Sequence, residues 1–229
     1  MPAKNSRKIY LKNGFYHLYN RGVEKRIIFL DKQDYSVFLS YLKEYLNPKD
    51  EVELYQKIED PNISYIERDK YLKLLRLNNF FGEITLLAYS LMPNHFHLLV
   101  KQNQTNSIDK FMNSIGTRYS MYFNKKYHRV GGLYQGVYKA VLVESDEQLL
   151  HLSRYIHSQS LALQGEALQE KQPSSCGDYL GLRKTEWLHS NEILSFFSEN
   201  IPSSTYKSFV QQKDNFFEVE KLIIESSEE

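Results

Sequence analysis

An α+β sandwich, with an antiparallel central sheet and helices packed on one face, is the fold class this 229-residue sequence predicts. Three observations predict it. Short segments of period-two hydrophobicity, rich in aromatic and branched side chains, interleave with longer segments of helical period. Two apolar runs are joined by Pro93-Asn94, a turn signal that makes them an antiparallel hairpin. The order of segments is strand, helix, strand, strand, helix, strand, helix, which suits helices laid on an antiparallel or mixed sheet.

Each element follows from local chemistry. Residues 14–20, GFYHLYN, alternate and read as a strand, followed by a loop around Gly22. Asp31 caps a helix that runs to about Leu46, with Tyr35, Phe38, Leu39, Leu42 and Leu46 at helical spacing, and Asn47-Pro48 stops it. Residues 47–63 are polar, contain two prolines and read as a loop, and 64–77 as a charged helix. Together, about 47–79 is expected to be an insertion. Residues 83–91 and 95–101 are the hairpin strands. Ser107 to about His128 forms a helix with one broad apolar and aromatic face, broken by Gly131-Gly132. VYKAVLV at 137–143 is a strand. Ser145 and Gln148 form a capping-box pattern opening a helix to about Leu163. Residues 165–185 read as irregular, with short helices at 190–199 and 203–225 and Trp187 as a core anchor. The pattern is ferredoxin-like. It predicts one domain over 1–165 and a helical C-terminal extension over 166–229.

Composition narrows the function. The single cysteine, Cys176, excludes a disulfide framework or a cysteine-built zinc site within one chain. No apolar run of about 18 residues is present to span a membrane, and the expected location is a reducing cytoplasm, in association with the nucleoid. Net charge is only +1, but it is unevenly spread. Residues 1–26 and 101–144 are strongly basic and 212–229 strongly acidic. Such a distribution is compatible with a phosphate-binding face and equally with solvated surfaces. Arg118, Lys125, Lys126, Arg129 and Lys139 are the candidate phosphate contacts. The tyrosines among them, Tyr119, Tyr122, Tyr127, Tyr134 and Tyr138, suit base stacking or the core.

The segment LMPNHFHLLV, residues 91–100, concentrates the chemistry. On a strand His95, His97 and Leu99 share one face, and Phe96, Leu98 and Val100 the other, which is wholly apolar and must be core. Imidazoles about 7 Å apart along the strand can hold one divalent ion and leave positions open. They can equally be hydrogen-bonded structural residues, because His-x-His alone is a weak signal. On the helix after Ser145, Leu149, Leu152, Ile156 and Leu163 form the apolar stripe, and Tyr155 and Gln159 stack one turn apart at its border. A phenolate there is a potential nucleophile and a carboxamide oxygen a potential ligand. A tyrosine covering the core edge fits the same periodicity. His17 is left open between lining the site and serving the core.

MPNHFHLLV, followed by a helix bearing RYIHSQ, resembles the single-tyrosine HUH transposases and nucleases. These comprise the transposases of the smallest bacterial insertion sequences and the REP-associated tyrosine transposases. GFYHLYNRGVEKRIIF at 14–29 and GGLYQGVYKAVLVESDEQLLHLSRYIH at 131–157 are similar to the family's first strand and to its last strand and tyrosine helix. The similarity spans roughly residues 10–165. It implies that His95, His97 and Gln159 bind a divalent metal ion, Mg or Mn, and that Tyr155 is the nucleophile. It implies cleavage and rejoining of single-stranded or hairpin DNA through a 5′-phosphotyrosine. Many REP-associated relatives carry Asn-Pro where this chain has Gln159-Ser160, a departure toward the insertion-sequence branch. Relatives include monomers acting in cis and homodimers acting in trans. A domesticated hairpin-binding protein without transposition and an unrelated metallohydrolase are the competing readings.

Overall fold

The computed structural model describes residue 8, residues 10–164, 167–198, 201 and 204–212. Four strands form the central sheet: β1 (Gly14–Arg21), β2 (Ile84–Met92), β3 (His95–Gln102) and β4 (Lys139–Val143), in the order β2-β3-β1-β4. Each hydrogen-bonded pair is antiparallel. This is the ferredoxin-like arrangement expected from the order of elements.

Alternation decides what each face of the sheet buries. Tyr16 and Leu18 of β1 stand beside Val100 and Leu98 of β3, and Phe96 follows on the same face. Helix α1 (Lys32–Leu46) and helix α4 (Ser107–Lys126) cover it, with Phe38 against Phe96 and Tyr119 against Phe38. α1 begins where expected, because Asp31 and Asp34 form a reciprocal capping box. Tyr119 is fully buried and donates to the Ile28 carbonyl, while Tyr127 donates to Asp34 and Tyr138 to Asp109. These tyrosines therefore serve the core and its polar contacts.

The second face is covered too, which refines the expectation of helices on one face. Helix α5 (Asp146–Ser160) packs its Leu149, Leu152, Tyr155 and Ile156 against β2 and β3, on the side that carries His97. It ends at Ser160, short of Leu163, because the chain turns there into a hairpin of β5 (Leu161–Gln164) and β6 (Ala167–Glu170).

Two segments read as irregular are ordered. Within the insertion, helix α2 (Glu51–Glu59) precedes helix α3 (Tyr65–Arg76). Asp50 caps α2 by accepting from the Glu53 amide, a local signal outweighed in the sequence by the flanking prolines. Neither helix buries a residue. The ends of the insertion are tied together by Lys49 on the Leu75 and Leu77 carbonyls and by Asn79 on the Asn47 carbonyl. Within 165–185, β6 and the short helix α6 (Cys176–Tyr179) replace the expected irregular chain.

The C-terminal segment is built into the domain. It runs along the outer edge of β2, where Leu91 and His189 amides donate to the Pro173 and Leu86 carbonyls and the Ser175 amide to that of Tyr89. Trp187 stacks on Tyr89 with ring centroids 5.7 Å apart, the anchor expected of it. This pairing closes an edge strand that would otherwise expose its amides. Helices α7 (Asn191–Leu194) and α8 (Tyr206–Gln211) follow. The part of the expected 203–225 helix beyond 212 lies outside the described residues, as does the acidic terminus after Gln212.

Candidate active site

Register sets the site. His95 and His97 of β3 lie opposite Arg21 and Tyr19 of β1 and opposite Met92 and Ser90 of β2. Cross-strand partners point to the same face, so His17, Tyr19, Arg21, Ser90, His95, His97 and, from β4, Lys139 share it. The His95 and His97 rings meet edge to face at 4.9 Å between centroids. The Tyr155 ring meets His97 edge to face at 5.5 Å within the same chain. Gln159 lies one helical turn beyond Tyr155 and is half-buried. The strand pair and the tyrosine helix expected from the sequence thus come together.

Each histidine is held through its Nδ1. The His95 Nδ1 lies 2.6 Å from the Asn94 Oδ1, and the Asn94 Nδ2 donates to the Lys25 carbonyl. That second bond fixes the amide so that its oxygen faces His95. An amide oxygen only accepts, so Nδ1 carries the proton and Nε2 keeps its lone pair. The Asn94 turn is itself clamped by the loop after β1: the Gly22 amide donates to the Asn94 carbonyl, and the Ile28 and Phe29 amides to Pro93. A Cβ on Gly22 would meet the Arg26 carbonyl oxygen at 2.3 Å, so the loop closes this tightly only with glycine. The His97 Nδ1 lies 2.9 Å from the His17 Nε2, and its own Nε2 is buried without a partner among the described residues. Ser90, across the strand, likewise has a buried hydroxyl with no partner among the described residues. Two orphaned polar atoms on adjacent strands of one face are unusual in a folded interior.

The electrostatics favour neutral imidazoles. Burial, then the nearby Arg21 guanidinium, pulls His95 down to about 4. Burial pushes His97 well below its ordinary value, helped by His17, His95 and Arg21. Both rings therefore present lone pairs rather than charge at neutral pH. Among the described residues no three His, Cys, Asp or Glu side chains converge as a metal-holding group. The third donor implied by the resemblance, Gln159, is of another type.

Helix α5 is gripped by the C-terminal segment that lines the edge of β2. His157 Nδ1 lies 2.6 Å from the Tyr206 hydroxyl and its Nε2 lies 2.7 Å from that of Ser175. Tyr206 in turn donates to Ser153, and Ser153 to the Leu150 carbonyl. Those directions put a proton on the His157 Nδ1, and burial, which holds the ring down at about 3, keeps it neutral, so that Nε2 is left as an acceptor. The neighbouring Arg154 is buried, with its guanidinium over the Phe209 ring at 4.3 Å.

The basic candidates are spread out. Arg118 pairs with Glu44 at 2.6 Å and lies over the Tyr41 ring, and Lys126 pairs with Asp31 and buried Asp34. Lys125 is exposed at the end of α4, and Arg129 donates to Asn124 and to the Gly132 carbonyl. Four of the five thus sit on, or just after, the helix that packs on the Phe96 face. Lys139 stands on the histidine face, opposite Tyr19.

Sequence reasoning read Asn94 only as a turn former, left His17 undecided and did not single out Arg21. The alternation of β1 carries the signal for His17, Tyr19 and Arg21 sharing a face. The register that sets them beside His95 and His97 does not appear in the sequence.

Residues 66–159 match the family model described as "Transposase IS200 like". No curated protein matches the chain. Among solved structures, one of a REP-associated tyrosine transposase bound to a REP hairpin is similar at 12% identity. It covers 68% of this chain and 72% of that one, with a TM-score of 0.42. A crystal structure of a putative transposase from Deinococcus radiodurans R1 is similar at 16% identity, covering 69% and 98%, with a TM-score of 0.28.

Proposed function

We propose that this chain, whose residues 66–159 match the IS200-like transposase model, cleaves and rejoins single-stranded DNA through Tyr155, at sites bearing hairpins. The observation that carries this reading is the Tyr155 ring packed 5.5 Å from His97 within one chain. In the proposed division, residues 1–165 form the catalytic unit, with the insertion at about 47–79, and 166–229 form an extension that braces it.

A divalent ion fits the residues present. The buried, unpartnered Nε2 of His97 lies beside a His95 whose own Nε2 lone pair is kept free by Asn94. His95 and His97, with the Gln159 carboxamide oxygen, are the proposed ligands of Mg or Mn; the amide oxygen and water at open positions suit these ions, while the imidazoles alone would also take softer divalent metals. When bound, the ion neutralises charge developing on the scissile phosphate and orients it.

The chain's own groups supply the rest. The Tyr155 oxygen attacks the phosphorus in line. A Tyr–O–P bond forms, the bond to the 3′ oxygen breaks, the phenolic proton is lost, and the departing 3′ oxygen gains one. The unperturbed tyrosine pKa of about 10 makes that proton loss the costly part. Attack by a second 3′ hydroxyl reverses the step onto a new end, so no external energy source is needed. Arg21 and Lys139, on the same face as the histidines, are placed to meet phosphate charge.

The test is incubation of the full chain with labelled single-stranded hairpin DNA and Mn, followed by denaturing electrophoresis. Wild type is expected to form a covalent adduct, and Tyr155→Phe to bind DNA without forming one. An adduct at wild-type level in Tyr155→Phe overturns the assignment. The burial of Tyr155, 3% exposed, favours one alternative, a hairpin-binding protein without cleavage. A gel shift with no adduct in either Mg or Mn selects it.

A further inference from the structure

His17 is fully buried on β1, diagonal to His97 across the strand pair, with ring centroids 5.0 Å apart. Diagonal positions in an antiparallel pair are within reach of long or aromatic side chains. The 2.9 Å contact between the His17 Nε2 and the His97 Nδ1 needs exactly one proton between them. If His17 holds it, the His97 Nε2 carries the other proton of its ring and is a buried donor with nothing to receive it. If His97 holds it, the His97 Nε2 is a bare lone pair.

We propose that His17 is a positioning residue for His97: it accepts the Nδ1 proton, fixes the ring, and leaves the Nε2 lone pair for a divalent ion. The inference rests on the reading of His95 and His97 as metal ligands. Asn94 does the same for His95 from the adjoining turn, where the amide oxygen leaves only one assignment. The two ligands then share one logic, each with Nδ1 tied to a neighbour and Nε2 offered to the ion. A second hydrogen bond of this kind sets both the tautomer and the orientation of a ligating histidine. Here the acceptor is another imidazole, which removes any formal charge from behind the ligand and lets the trio stay neutral in a buried setting.

The test uses the full chain and Mn alone. Two-bond proton–nitrogen spectra of histidine-labelled, metal-free protein read the His97 tautomer directly. The Nδ1-protonated form is expected in wild type. The Nε2-protonated form overturns the proposal, whatever the variants do. Calorimetric Mn affinity is then compared among His17→Phe, His17→Gln and His97→Ala. His17→Phe is expected to weaken Mn binding by about 10- to 100-fold. In His17→Gln the carboxamide oxygen reaches the place of Nε2 and is expected to restore most of the loss. Wild-type affinity in His17→Phe overturns the positioning role while a loss in His97→Ala leaves the metal reading standing. Wild-type affinity in His97→Ala overturns the metal reading, and the positioning role with it.

Discussion

His95 and His97 lie on an inner strand of a four-stranded sheet, paired on both sides. Tyr155 lies on a helix gripped by Ser175, Tyr206 and Phe209. The strand half of the site is held by backbone hydrogen bonds and by a short turn next to it in sequence. The helix half is held by side chains from the C-terminal segment. The first kind of support is spread over a ladder of backbone bonds, so side-chain substitutions away from Gly22, Asn94 and His17 disturb it little. The second depends on a few buried polar contacts, each of which leaves an unpaired group when removed. Damage to the extension is therefore expected to reach the tyrosine and spare the histidines.

Tyr206→Ala tests that contrast with the largest effect. It removes a buried ring and leaves the His157 Nδ1 without an acceptor. A loss of about 4 kcal/mol in chemical denaturation is expected. In the fraction that remains folded, adduct formation should fall while Mn affinity, carried by the strand, holds. Equal losses of both would show that the two halves are not independently supported.

His157→Gln sharpens the comparison through pH. The imidazole is held at about 3 in the folded chain, against about 6.5 unfolded. The unfolded chain therefore takes up the proton first as pH falls. Stability from the neutral ring is complete above about 6.5 and is lost as pH falls toward 3. Replacing the ring should cost about 1–3 kcal/mol at pH 7. It should also flatten the acid limb by up to about 1.4 kcal/mol per pH unit. Stability curves for wild type and variant should converge on acidification, and parallel curves would contradict the neutral assignment.

How much could be read from the sequence follows the same division. The strands, the β2–β3 hairpin and the shared face of His95 and His97 were legible because alternation and the Pro93-Asn94 turn act between neighbours in sequence. The capping groups Asp31 and Ser145 marked helix starts for the same reason. The grip on α5 was not legible. His157, Arg154 and Tyr206 are polar residues whose burial depends on contacts made about 50 positions away. The cover over the histidine face was missed likewise, since α5 could be placed on either face until the register was known. Helix α2 escaped because Pro48 and Pro61 on either side of it read as loop signals and outweighed its Asp50 cap.

The smallest effect is expected in the insertion. Ile66, 79% exposed on α3, touches neither half of the site. Ile66→Ser should change stability by no more than about 0.5 kcal/mol and leave adduct formation unchanged. A marked drop in DNA binding would instead give the insertion a role at the substrate.

The central claim, that one chain carries both halves of one site, is tested most directly by complementation. Tyr155→Phe and His97→Ala proteins are each inactive alone in this account. They would be mixed in equal amounts with labelled hairpin DNA and Mn, and the adduct measured. Assembly within one chain predicts no adduct from the mixture. An adduct approaching a quarter to a half of the wild-type level, carried by the His97→Ala chain, would show instead that the tyrosine serves a partner's histidines.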